Sequence, residues 1–259
     1  MESISIFDII KVGIGPSSSH TMGPWKAASL FIKILETDYK DQVITSVKVI
    51  LFGSLAKTGK GHGTDIAAML GLNGEDYRTI DTKKVNSIVA LLKEKKKIRI
   101  NQKEVSFDPL KDILFDFDTK ELLHPNRISF FAYNGNELII EKSYHSLGGG
   151  FICEEGVNDV NILKPSSYPC HSAQDLLNTS KRLDLTIPQL VNLNEQSWCS
   201  KQEVIDKCLY LWKEMQECIY RGVTTTGELP GGLHVKRRGA DLNSKLLKDS
   251  KAWPGAADW

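Results

Sequence analysis

The stretch RISFFAYNGNELIIEKSYH, residues 127–145, constrains the fold most. Two β-rich runs flank Asn134-Gly135, and both of these residues tolerate the positive φ of a tight type I′ turn, so the stretch predicts an antiparallel hairpin. Upstream, Val47, Val49 and Leu51 alternate with Ser46 and Lys48 at the period of a strand. Before that strand, Ala27, Ala28, Leu30, Phe31, Ile34 and Leu35 recur at helical spacing, and residues 84–96 read as another helix. IRINQKEVSFD supplies one or two short strands. Strands and helices alternate irregularly up to about Ile162, which predicts an α+β (mixed α/β) fold with a mixed sheet and flanking helices.

From Lys164 to Asn194 the pattern loosens into a connecting segment with one short helix. Ser200 and Glu203 then form a capping box at the head of a long helix. Val204, Cys208, Leu211, Trp212, Met215, Cys218 and Ile219 make its apolar stripe, and Arg221 with Gly222 signals its end. One helix and the basic loop after it are too little to bury that stripe. The expected organisation is a domain over 1–160, a linker over 161–199 and an incomplete helical region over 200–259, whose tail KAWPGAADW fits no element.

The net charge of +1, without long basic or acidic blocks, argues against a nucleic-acid or membrane-surface role. The opening MESISIFDIIKVG carries Glu2 and Asp8 and lacks a signal-peptide apolar core, and no window approaches 18 uninterrupted apolar residues. A cytoplasmic location is expected. Five cysteines at wide spacings, with no CxxC, fit reduced thiols better than a disulfide framework or a zinc site.

Chemistry concentrates in KVGIGPSSSHTMGPWKAA, residues 11–28. The stretch fails the G-x-x-x-x-G-K-[ST] phosphate-loop pattern, because no glycine in it precedes a lysine. It also fails G-x-G-x-x-G, because Ser18 stands where the third glycine belongs. What remains is a helix mouth whose backbone N–H groups attract an anion. Ser17, Ser18, Ser19 and Thr21 add hydroxyls there, and His20 adds a group that titrates near neutrality. A small carboxylate suits it at least as well as a phosphate; the plainer alternative is that the serines only cap the helix. KTGKGHGTD repeats the arrangement, with Lys60 in the loop, His62 between two glycines and Thr64-Asp65 opening a helix that Gly71 can end. In LLHPN, His124 precedes a proline and Asn126 can both donate and accept. His145, before three glycines, is ambiguous, and His171 and His234 carry no pattern.

FDIIKVGIGPSSSHTMGP, LFGSLAKTGKGHGTD, LHPN and SLGGGF, in that order, resemble the β domain of the iron–sulfur-dependent L-serine dehydratase (L-serine ammonia-lyase) family. MQECIYRGVTTTGELPGGLHVKRR resembles the first segment of the same family's catalytic α domain. The resemblance implies a regulatory-type β domain, L-serine as substrate and pyruvate with ammonia as products. It also implies a 4Fe–4S cluster held by α-domain cysteines in place of pyridoxal phosphate. Carried over by motif, His62, His124 and Asn126 are the expected catalytic residues. Ser17, Ser18, Ser19, His20, Thr21 and Lys60 are expected to bind substrate.

Cys153, Cys170 and Cys199 are scattered, and Cys208 and Cys218 lie on the apolar stripe as expected core residues, so the five cysteines do not offer the cluster. Two readings follow. One is an incomplete one-chain L-serine ammonia-lyase, inactive alone, which forms a homodimer or needs an α-domain partner. The other is a non-catalytic serine-binding or regulatory module that pairs with a separate α chain. The fused α-domain segment favours the first.

Overall fold

A computed structural model of the chain describes residues 2–120, 123–157, 164–229 and 234–248. Leu122 of LLHPN and the tail after residue 248 lie outside the described residues. In chain order the elements are β1 (Glu2–Ser3), α1 (Ile6–Ile9), α2 (Gly23–Thr37), β2 (Ser46–Phe52), α3 (Gly53–His62), α4 (Thr64–Leu72), α5 (Val85–Lys95), β3 (Lys97–Ile100) and β4 (Lys103–Ser106). There follow α6 (Pro109–Asp112), β5 (Ile113–Asp116), β6 (Arg127–Asn134), β7 (Glu137–Gly148), β8 (Phe151–Glu154), β9 (Lys164–Pro165), α7 (Ala173–Leu183), α8 (Ile187–Glu195), α9 (Lys201–Thr224) and α10 (Gly239–Lys248). A π-helical turn, Ser18–Met22, leads into α2. The architecture is mixed α+β, as the hairpin and the alternating periods predict, and it divides into two compact units. One holds described residues 13–157; the other holds 2–12, 164–229 and 234–248.

The first unit is built on a sheet of order β3-β4-β2-β6-β7-β8, with β5 also beside β2. β2 runs antiparallel to β6 and parallel to β5, so the sheet is mixed. Helix α2 contributes Phe31, whose ring stacks on Phe130 at 5.2 Å, and Tyr144 meets Phe130 edge-on. Trp25, Phe31, Leu51, Phe107, Phe130 and Tyr144 are fully buried in this one core. The predicted β6–β7 hairpin forms, yet its positive φ lies at Gly135 alone, and Asn134 pairs with Glu137. A register shift between Ala132 and Tyr133 moves the two-residue loop to Gly135-Asn136, with glycine first, where a II′ turn places it. Positive φ at two successive turn residues occurs instead at Asn101 and Gln102, between β3 and β4.

The second glycine-rich stretch is a helix, α3, where a loop was expected. Two interior glycines cost about 2 kcal/mol together. Leu55 is completely buried and Ala56 nearly so, and burying a leucine alone returns about 1.5–3 kcal/mol, so packing outweighs propensity. The cap of α4 is Gly63 at φ +65, where Thr64 or Asp65 was expected. The helix also runs through Gly71 to Leu72. Gly71 lies against α2, where a Cβ would stand 2.5 Å from the Trp25 carbonyl oxygen and 2.7 Å from Ala28 Cβ.

In the second unit, β1 pairs antiparallel with β9. Ser5 caps α1, and the buried Glu195 carboxylate accepts from Ser5 Oγ at 2.7 Å and from Ile6 N at 2.8 Å. The segment read as a connection with one short helix contains two, α7 and α8. α9 starts at the predicted Ser200–Glu203 box but passes Gly222 and ends at Thr224. α10 occupies part of the region read as a basic loop. Among the described residues of this unit, Leu190, Val204 and Ala240 are the buried apolar ones, while Trp212, Met215 and Ile219 of the α9 stripe are exposed. Cys208 and Cys218, expected as core, are exposed as well. No described helix is long and apolar enough to cross a membrane.

Candidate functional site

Four of the sequence motifs meet within the unit of residues 13–157. Ser17 caps the π-helical turn by accepting from His20 N at 3.2 Å, and such wide turns recur at functional sites. The turn presents His20 between two hydroxyls, Ser19 Oγ at Nδ1 and Ser54 Oγ at Nε2, both at 2.9 Å. Ser54 lies in the first turn of α3, and its N–H donates to the Pro125 carbonyl at 2.7 Å, which ties the HPN turn to the same place. Asn126 and Ser146 are joined twice: Asn126 Nδ2 donates to Ser146 O at 3.1 Å, and Ser146 N to Asn126 O at 2.9 Å. Gly149 N donates to Ser18 Oγ at 3.1 Å and closes the ring back to the serines.

The histidines differ in which nitrogen is engaged. His62 ends α3, and its ring centroid is 4.9 Å from that of His20. Its Nδ1 lies 3.0 Å from the Thr58 carbonyl. A carbonyl can only accept, so neutral His62 carries its proton on Nδ1 and keeps the lone pair on Nε2. At His124 the polarity reverses. Its Nδ1 lies 3.1 Å from Asn126 N, and a backbone N–H can only donate, so neutral His124 carries its proton on Nε2. Burial first, and the neighbouring His62 second, hold His20 below its ordinary value, against a hydrogen bond with Ser54 that raises it.

Three successive residues of β7 each bury a polar atom without a hydrogen-bond partner among the described residues: Tyr144 OH, His145 Nδ1 and Ser146 Oγ. Buried polar groups are normally paired, so a run of three marks unused hydrogen-bonding capacity. The His145 ring meets His124 edge-on at 5.7 Å, and its Nε2 is 4.0 Å from Glu155 Oε1. Burial lowers the His145 imidazole; Glu155 opposes this, while His124 and Arg127 reinforce it. Burial, with Glu154 adding to it, raises the Tyr144 phenol.

The structure therefore brings Ser17, Ser18, Ser19, His20, His62, His124 and Asn126 onto one connected network. Thr21 belongs to it differently, since it is buried and donates its hydroxyl to the His62 carbonyl at 2.9 Å. Lys60 lies apart from the hydrogen-bond ring, with its ammonium 5.2 Å from the centroid of the Phe115 ring. Ser54 and Ser146 were not singled out from sequence. Each sits beside a motif glycine or histidine, which is the signal that could have found them. Among the described residues, no three His, Cys, Asp or Glu side chains form a group that could hold a metal ion.

Residues 5–157 match a family model described as serine dehydratase beta chain. The chain is 39% identical over 256 residues to L-serine dehydratase 1 of Escherichia coli (strain K12), covering 96% of this chain and 55% of that protein. It is 35% identical over 266 residues to an L-serine dehydratase of Streptomyces coelicolor, covering 99% and 58%. It is 38% identical over 264 residues to one of Mycobacterium tuberculosis, covering 99% and 57%. The chain thus spans a little over half the length of the curated relatives it matches.

Proposed function

The chain belongs to the serine dehydratase beta chain family, and on that premise we propose that it supplies one half of an L-serine ammonia-lyase site. The reaction removes the α-proton and the β-hydroxyl of L-serine. The aminoacrylate left behind tautomerises to an imine, and water hydrolyses that to pyruvate and ammonia. The observation that carries the reading is the opposite polarity of the two histidines. His62 Nε2, with its lone pair, takes the α-proton as general base. His124 Nε2–H donates a hydrogen bond, and then its proton, to the departing hydroxyl, which leaves as water. Asn126 fixes the turn that sets the His124 ring. The serine hydroxyls at the mouth of α2 receive the substrate carboxylate.

The family's 4Fe–4S cluster would supply a Lewis acid for the hydroxyl and carboxylate. The five cysteines here stand at wide spacings with no CxxC, and we read them as not offering its ligands. We assign the cluster to the part of the full-length relatives that this chain does not span, and no step above passes through it. In the same reading residues 1–160 are the β domain, 161–199 a linker and 200–259 the first part of a catalytic α domain, in the cytoplasm.

Calorimetry with L-serine tests the reading. Saturable binding is expected, weakened about twofold to tenfold in His124→Ala, the range for losing a hydrogen bond between neutral groups. Absence of saturable heat from the unaltered chain would overturn it.

A further inference from the structure

Two buried threonines tie the histidine-bearing segments to each other. Thr64 is fully buried, and its Oγ1 donates to the His20 carbonyl at 2.6 Å. Thr21 is 4% exposed, and its Oγ1 donates to the His62 carbonyl at 2.9 Å while accepting from Ser17 N at 3.4 Å. The two bonds are reciprocal. Each threonine lies one or two residues after one histidine and holds the backbone of the other. The Thr64 hydroxyl does not cap its own helix, since the N-cap of α4 is Gly63 with no side-chain cap bond. The neighbouring helix also leaves room for Thr64. At Gly59 of α3, a Cβ would stand 3.1 Å from both Thr64 Cβ and Oγ1.

We infer that Thr21 and Thr64 are positioning residues: their reciprocal bonds set the His20–His62 spacing. This rests on the reading of that pair as part of the lyase site. The groups recorded against His20 are Ser19 on its own turn, and Ser54 and the His62 ring on α3. Lys60, also on α3, directs its ammonium onto Phe115. His62 is therefore the neighbour whose charge His20 senses, and the threonines fix how near it lies.

Histidine-ring NMR on the intact chain tests this without turnover. The unaltered chain should show a nuclear Overhauser contact between the two rings and a His20 midpoint below the ordinary 6.5. His62→Asn gives the midpoint that His20 adopts without a charged neighbour. Thr64→Val and Thr21→Val should lose the ring contact and move the His20 midpoint toward that value, while Thr64→Ser, which restores the hydroxyl, keeps both. Val variants that fold with contact and midpoint unchanged would overturn the inference. So would unfolding of both Val variants, which would make the bonds purely structural. L-serine binding is measured separately, so its failure bears on the substrate reading and leaves the role of the threonines to the NMR result.

Discussion

A histidine's chemistry is decided by whichever neighbour claims the nearer nitrogen, and here backbone groups make that choice. Long-range nitrogen correlation spectra at pH above 7 should show His62 with its proton on Nδ1 and His124 with its proton on Nε2. Matching tautomers would remove the division between base and donor. A second prediction concerns pH. His20 and His145 both lie below the ordinary value of 6.5 when folded. As pH falls through 6.5 the unfolded chain binds their protons while the folded chain does not, so stability falls with pH until the folded values are passed. Thermal midpoints should therefore drop as the pH is lowered from about 7 through 6.5, and less steeply in His20→Asn; His145 keeps part of the slope. An equal slope in that variant would sink the claim. The sequence offered the serine- and histidine-rich helix mouth as a candidate, with helix capping as the plainer alternative, and in the structure Ser17 does cap the turn while His20 lies between two hydroxyls. It could not show that Thr21 and Thr64 bond across to the opposite histidine, because those partners lie 41 and 44 residues away.

At the scale of elements, propensity failed where packing overrode it. α3 was hidden by its glycines, and Gly71 imitated a stop signal although it lies at a close approach of α4 to α2. Lys164 to Asn194 was read as holding one short helix where two form, although Ser172, whose side chain accepts from Asp175 N, marks the start of α7. The β6–β7 hairpin was legible because two β-rich runs flank Asn134-Gly135, but the loop register was not, because a bulge leaves no sign in composition. Gly71 also yields a sharp expectation. Alanine there gains about 1 kcal/mol in helix propensity. Its Cβ would lie 2.5 Å from a backbone oxygen that cannot rotate away. Overpacking at such a site costs about 1–3 kcal/mol, and more when the backbone must shift. Gly71→Ala should therefore lower the urea midpoint with an unchanged denaturant slope, whereas a stabilised variant would mean that α2 and α4 can separate freely.

Over the whole molecule, burial is shared unequally. The continuous core, from Trp25 to Tyr144, falls entirely among residues 13–157. The other unit has three buried apolar side chains among its described residues, and the 24-residue α9 exposes Trp212, Met215 and Ile219. A helix gains most of its stability from a packed apolar face, so α9 depends largely on its Ser200 box and its own backbone bonds. An N-cap box contributes about 1 kcal/mol, far below what a sheet-backed core returns. Hydrogen exchange should therefore separate the units. Amides of β2, β6, β7 and α2 should exchange only through global opening, and those of the middle of α9 through local opening at much lower free energy. Binding of a partner that covers the stripe should slow α9 selectively and leave β2 and β6 unaltered. Equal protection of α9 and β6 in the chain alone would show that α9 opens only with the core, and would overturn the view that its stability is local.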